Sequence, residues 1–349
     1  MMGSADMRSF LAFLGRSLAA VLLSFAVSAL IMLVSGYNPA LAFASMIRGS
    51  FGSANSFANT LSKSVPLIFA GLACAYANKG GIFNIGCEGQ LYMGAFVSTV
   101  TALSLRGMPR LFVIIASILT GMVAGAAVGS FNGFLKAKMK LNEVVVAIML
   151  NYICRFFTSF FVSGILKDPD SETPQTLPVG EHYMFSKLIP KTQLTTALFL
   201  ALIAALAMFF FFRETRAGYN VRAVGENGAA AEASGINVAR TMILTMAVSG
   251  GLAGLTGVTE VFGKSERFID GFSPGYGFTG IAIAFLAGNH PLGILLSALL
   301  FGIIQAGSMK MSYEAGVSTS MISVIQGLVI LFVATPELVS IRIGRRRTA

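Results

Sequence analysis

The chain has 349 residues, 55% hydrophobic and only 11% charged, with a mean hydropathy of +0.77 and a net charge of +10. A soluble domain of this length carries roughly 25% charged residues, so the deficit excludes that class and leaves a polytopic membrane protein. The basic residues are scattered through short segments and the two ends. Positive-inside topology explains that pattern, and a nucleic-acid surface does not, so no nucleic-acid partner is expected.

In chain order, the stretches predicted to cross roughly 30 Å of hydrocarbon begin with Leu18 to Ser35, Ser64 to Asn78, Ile85 to Leu105, Leu111 to Leu135 and Val144 to Ile165. They continue with Gln193 to Phe212, Thr241 to Phe262, Phe278 to Gly288, Leu292 to Met309 and Val317 to Thr335. The expected fold is all-α, a single transmembrane domain over 1–349 with about ten helices, or eight to nine if a short one is re-entrant. The first stretch has the basic start of a signal peptide, but no small-residue cleavage site follows it, and it is read as an uncleaved span.

With the N-terminus inside, fourteen Lys and Arg fall in inside segments and ten in outside ones, with Arg155 within a span. The inside set includes Lys79, the cluster Lys136, Lys138 and Lys140, the segment 213–240, and the tail Arg342 to Arg347. Both termini are therefore expected in the cytoplasm. The outside segment Lys167 to Lys191, with four acidic residues and four prolines, reads as a short external cap.

Gly121, Gly125, Gly129 and Gly133 recur every four residues, and Gly250, Gly251, Gly254 and Gly257 cluster on a later span. Both sets predict grooves into which another helix packs closely. Two apolar stretches are short or interrupted by glycine. One lies between Gly71 and Phe96 with a break at Asn78 to Gly81; the other lies between Phe268 and Gly293 with breaks at Ser273 to Gly277 and Gly288 to Pro291. Broken helices in corresponding places of two halves point to a transport pathway, and five spans per half would make the halves an inverted repeat.

Polar groups within the spans are the candidate pathway residues, because charge in a membrane is costly and faces a cavity or a partner. Glu88 lies beside Asn84 and Gln90, and Asn84 and Glu88, four apart, are expected to share a helix face. They either line the pathway or form a hydrogen-bonded pair that holds the break. Asn151 and Arg155 are likewise four apart, with Arg155 expected to pair with a carboxylate. Glu143, after Asn142, suits the positive end of a helix, and Glu260 sits near an outer interface. The run Phe209 to Phe212 reads as a membrane anchor.

The segment 213–240 is the longest polar run between two spans. Asn227 is placed to cap a short helix over GAAAEAS, and Gly235 to end it in the left-handed conformation. A short rigid helix on a cytoplasmic loop suits docking onto another protein. Cys74, Cys87 and Cys154 have neither disulfide nor zinc spacing and read as packing residues; His182 and His290 are far apart, so no metal site is expected. GVTEVFGKS, Gly257 to Ser265, ends like a phosphate-binding loop, but its glycines are spaced wrongly and no strand precedes it. No catalytic constellation is present, so any energy source must come from elsewhere.

Four blocks carry a family resemblance. They are TLSKSVPLIFAGLACAYANKGGIFNIGCEGQLYMGA from Thr60, LNEVVVAIMLNYI from Leu141, TRAGYNVRAVGENGAAAEASGI from Thr215 and GYGFTGIAIAFLAGNHPLG from Gly275. Together they resemble the membrane-spanning permease subunits of ATP-binding-cassette importers of the ribose and branched-chain amino-acid type, and within these the permeases of nucleoside importers. Cys87 and Phe278 depart from the pattern. The resemblance implies a second permease, commonly a different polypeptide, two cytoplasmic ATPase subunits that bind the ATP, and an external binding protein, often a lipoprotein. It also implies that Gly218, Arg222, Ala223, Gly225, Ala230 and Gly235 belong to the segment that inserts into the ATPase. The pathway residues expected on this view are Asn84, Glu88, Gln90, Asn151 and Phe278, in a plasma-membrane protein that moves a nucleoside or a simple sugar. An ion-coupled transporter would instead need coupling groups among Glu88, Glu143 and Arg155, and a membrane enzyme would need clustered His, Asp or Ser at one interface.

Overall fold

The computed structural model describes residues 4–334, and among these every long element is a helix. The helices are α1 (Ser4–Val34), α2 (Pro39–Phe51), α3 (Ala54–Lys79), α4 (Cys87–Ser104), α5 (Arg110–Met139), α6 (Glu143–Ser163) and α7 (Ala197–Glu214). They continue with α8 (Arg216–Glu226), α9 (Gly228–Ala233), α10 (Val238–Glu260), α11 (Tyr276–Leu286), α12 (Pro291–Ala315) and α13 (Thr319–Ala334). Each of the ten predicted spans corresponds to one of these, and α2, α8 and the short α9 are additional. The basic tail Arg342 to Arg347 lies outside the described residues.

Among the described residues six helices are long and apolar enough to cross a membrane, namely α3, α5, α6, α7, α12 and α10 with its extension to Ser265. α1, α11 and α13 carry shorter apolar stretches. α4 opens with the polar run Cys87-Glu88-Gly89-Gln90. At 1.5 Å per residue, α11 is only about 16 Å long, half a membrane crossing.

The chain divides into two units, Met1–Ser56 with Ile303–Ala349, and Phe57–Gly302. In the first, α2 starts where the Asn38 side chain accepts from the amides of Ala40 and Leu41 and Pro39 takes the first turn. Gly307 lets α12 approach Met46 and Ser50 of α2, and the Ser50 hydroxyl donates to the Ile303 carbonyl at 2.8 Å. At only 13 residues, α2 is too short for a span, so hydropathy alone passes over it.

In the second unit α3 is central, with every residue from Ser64 to Ala77 buried. Its small side chains admit α11 at Ala70 against Gly280, and α12 at Gly71 against Ile294. The glycine stripes pack as expected. A methyl on Gly125 would overlap the Gly250 carbonyl, one on Gly129 the Met246 carbonyl, and one on Gly254 the Gly121 carbonyl. The paired numbers rise along α5 as they fall along α10, so these two helices run antiparallel. α4 runs parallel to α10, from Asn84 beside Ser249 to Gly94 against Gly254. These directions are those that alternate crossing requires. Gly125→Val is expected to cost at least about 1–3 kcal/mol, since the obstacle is backbone that cannot swing away; thermal unfolding in detergent measures it.

Segments assigned to one side of the membrane by sequence also meet one another. Arg106 and Arg110 donate to the carbonyls of Pro178 and Met184 in the segment read from sequence as a cap. That cap is laced by backbone hydrogen bonds from Thr176 to Phe268 and from Phe185 to Phe262. On the opposite side the turn after α3 meets α8, and Asn78 bonds Asn289 at 3.0 Å.

Several groups near the helix ends are held by packing. Glu260 pairs with Lys264 at 2.7 Å, their side chains 13% and 8% exposed, where the end of α10 widens into a π-helix over Val261–Ser265. The phosphate-loop look-alike is this helix end. The aromatic run packs partly inward, with Phe211 and Phe212 against Tyr76, while Phe210 stays exposed.

Candidate functional site

The first break is built by the Gly80-Gly81 turn, where Gly81 takes φ +71, and by three amides that tie the re-entering chain down. Asn84 accepts from the Gly86 amide at 3.0 Å and donates to Gln90 at 2.9 Å and to the Ser249 hydroxyl at 2.8 Å. Asn151 of α6 accepts from the Gly89 amide at 2.7 Å and donates to the Ile85 carbonyl at 3.0 Å. The orphan donors and acceptors of a helix beginning inside a membrane span are thereby met by side chains. Asn84, Gln90 and Asn151 thus hold the break. Asn84 precedes α4, so it does not share a helix face with Glu88 as the spacing suggested.

Glu88, in the first turn of α4, reaches across to the start of α11 and accepts from the Gly277 amide at 2.7 Å. The Ser273 hydroxyl also hydrogen-bonds it, and accepts in turn from the amides of Gly275 and Tyr276. One carboxylate therefore sits at the positive ends of two broken helices. The starts of α4 and α11 thus meet at this carboxylate. Gly277 is glycine because its α-carbon lies against the Glu88 backbone. Beneath this contact the thiols of Cys74 and Cys87 lie 3.4 Å apart, free and buried. Phe278 points away from it, 47% exposed.

Arg155 forms no salt bridge with a described residue, contrary to the expected pairing; it is exposed on α6, within electrostatic reach of Glu88 and Tyr92. Glu143 sits in the first turn of α6, as expected, and pairs with Lys136 at 2.6 Å. Sequence reasoning passed over Ser159 and Asp270, which hydrogen-bond at 2.9 Å. Ser159 follows Arg155 by one turn, a legible spacing, whereas Asp270 lies in an irregular segment with no periodicity to flag it.

The polar segment 213–240 folds into two helices. The predicted one is present: Asn227 caps α9 through the Ala230 amide at 3.0 Å, and Gly235 follows with φ +83. α8 before it is a second, unexpected helix, which Thr215 caps through the Gly218 amide at 2.9 Å. Gly218 and Gly225 face inward, where added methyls would overlap the Phe211 and Lys79 carbonyls. They seat α8 on the end of α7 and the turn after α3. Ala223 is half-buried, while Arg222, Asn227, Ala230 and Gly235 are exposed. The pair of helices thus offers a small-residue face to whatever lies beyond it.

Among the described residues, no group of three or more His, Cys, Asp or Glu could hold a metal ion.

Residues 56–334 match the family described as branched-chain amino acid transport system / permease component. The chain is 37% identical to the nucleoside ABC transporter permease protein NupB of Lactococcus lactis, over 95% of this chain and 93% of that one. It is 33% identical to the guanosine ABC transporter permease protein NupP of Bacillus subtilis, over 94% and 95%. It is also 30% identical to the glucose ABC transporter permease protein TsgB13 of Haloferax volcanii, over 93% and 87%. Helical spans joined at paired breaks, a capped polar loop and these matches lead to one conclusion: the chain belongs to the branched-chain amino acid transport system / permease component family, as a multi-pass membrane permease and not an enzyme.

Proposed function

We propose that this permease is the membrane subunit of an ATP-binding-cassette importer for nucleosides, residing in the bacterial plasma membrane with both termini in the cytoplasm. A cytoplasmic ATPase pair binds and hydrolyses the ATP, a second permease of different sequence completes the pathway, and an external binding lipoprotein delivers the solute. The observation that carries this reading is the α8–α9 pair. It is anchored to the transmembrane helices by backbone contacts at Gly218 and Gly225, yet exposed at Arg222, Asn227, Ala230 and Gly235. Force applied there passes to α7 and to the turn between α3 and α4 without a flexible link. Closure of the ATPases would then shift the broken helices that Glu88 joins, opening the pathway alternately to each side.

The nucleoside relatives support the substrate class, and the glucose relative supports a simple sugar as the second reading. The complete importer in proteoliposomes is expected to accumulate labelled nucleoside in an ATP-dependent way. Excess unlabelled nucleoside should compete, and ribose or glucose should not. Uptake of sugar instead would replace the nucleoside reading, and uptake by this chain alone under an ion gradient would end the ATPase reading.

A further inference from the structure

Arg155 lies twelve residues into α6, about 18 Å along a helix that crosses the membrane. It is exposed and makes no salt bridge with any described residue. A guanidinium facing hydrocarbon at that depth costs several kcal/mol or more, so this face looks onto water or onto a polar partner. One turn on, Ser159 donates to one oxygen of Asp270; the other oxygen, Oδ1, is buried with no partner. An acceptor left unmet in one state calls for a donor supplied in another. Behind these groups stands an aromatic wall, with Tyr92 and Phe272 at 4.9 Å between ring centroids. Because Arg155 and Ser159 lie four apart on α6, the Ser159–Asp270 hydrogen bond brings the carboxylate to the face of the helix that carries the guanidinium.

We propose that Arg155 and Asp270, with Ser159 orienting the carboxylate and Phe272 offering a ring face, form a foothold for a nucleoside midway through the permease. The chemistry matches group by group. A guanidinium only donates and meets the carbonyl or ring-nitrogen acceptors of a base. A carboxylate only accepts and meets the ribose hydroxyls, and a base plane stacks on an aromatic ring. The solute is neutral, so neither charge needs a counter-charge from it, and the opposite signs hold its two ends in a fixed direction. The proposal rests on the nucleoside reading given above.

The test compares wild type, Arg155→Gln and Asp270→Asn in the complete importer, with labelled inosine as the probe. Uptake and ATP hydrolysis are measured in the same proteoliposomes. The expected result is at least about a tenfold fall in inosine carried per ATP hydrolysed, since a buried polar contact to a solute discriminates at that level or above. Hydrolysis stimulated by the loaded binding protein should stay within about twofold of wild type, because α8 and α9 are untouched. An unchanged ratio overturns the proposal. So does a parallel fall in uptake and hydrolysis, which would make these residues supports of the fold. Failure of the wild-type importer to carry any nucleoside would instead remove the nucleoside reading, and this foothold with it.

Discussion

Ala230→Arg is expected to abolish ATP-driven uptake, by about 100-fold or more, in a permease that still inserts and unfolds at the wild-type temperature. Ala230 is exposed and its side chain bonds nothing, so folding gains nothing from it. Beside it Ala231 is 4% exposed, packed beneath α9. An arginine at 230 leaves the permease intact but stands on the small-residue face proposed to dock the ATPase. Steric clash together with an unpaired charge in a protein interface costs several kcal/mol, enough to remove docking. Ala231→Arg serves as the contrast, since it should lower stability before it affects coupling. Uptake, ATPase activity and thermal unfolding measured on both variants separate the two effects. Wild-type uptake by Ala230→Arg would show that the α9 face is not where the ATPase docks.

Glu88→Ala is expected to destabilise the permease by about 1.5–3 kcal/mol, the range for losing a charge-assisted hydrogen bond and leaving its donor unmet. The Gly277 amide would lose its acceptor at the start of α11, and the Ser273 hydroxyl would lose one partner. α4 and α11 would no longer be joined at their N-termini. Glu88→Gln keeps an acceptor oxygen but gives up the charge, so it should recover part of the stability and little of the interaction with the two helix ends. Thermal unfolding of the three proteins in one detergent gives the order wild type, Gln, Ala. If Gln and Ala fall together, the charge and not the hydrogen bond holds the junction.

Much of the architecture is legible in the sequence, because a membrane imposes one-dimensional rules. Crossing requires about twenty apolar residues, so the ten stretches that became helices could be read in order. The stripe Gly121, Gly125, Gly129 and Gly133 and the capped turn Asn227 to Gly235 are local patterns too, each set by the geometry of a single helix. The helices that escaped, α2 and α8, are short and held by contacts distant in sequence, such as Gly225 against the Lys79 carbonyl and Gly307 against Met46. Propensity over 11 or 13 residues does not outweigh such contacts.

The functional groups divided along the same line. Sequence placed Glu88, Asn84, Gln90 and Asn151 among the important polar residues, because an apolar helix makes any polar group conspicuous. Gln90 meets Asn84 only six residues away, but Asn151, Asn84 and Glu88 took their duties from partners 62 to 189 residues away, as in Asn151 to Gly89, Asn84 to Ser249 and Glu88 to Gly277. Asp270 is not legible in the sequence, since a carboxylate in an irregular segment carries no signal until Ser159 is brought against it. The sequence by itself therefore determined which stretches form long apolar helices and which loop is polar, since hydration energy is a sum over neighbouring residues. The tertiary structure decided which polar atoms satisfy one another and which remain open, because a hydrogen bond depends on distance in space, and separation along the chain does not set it.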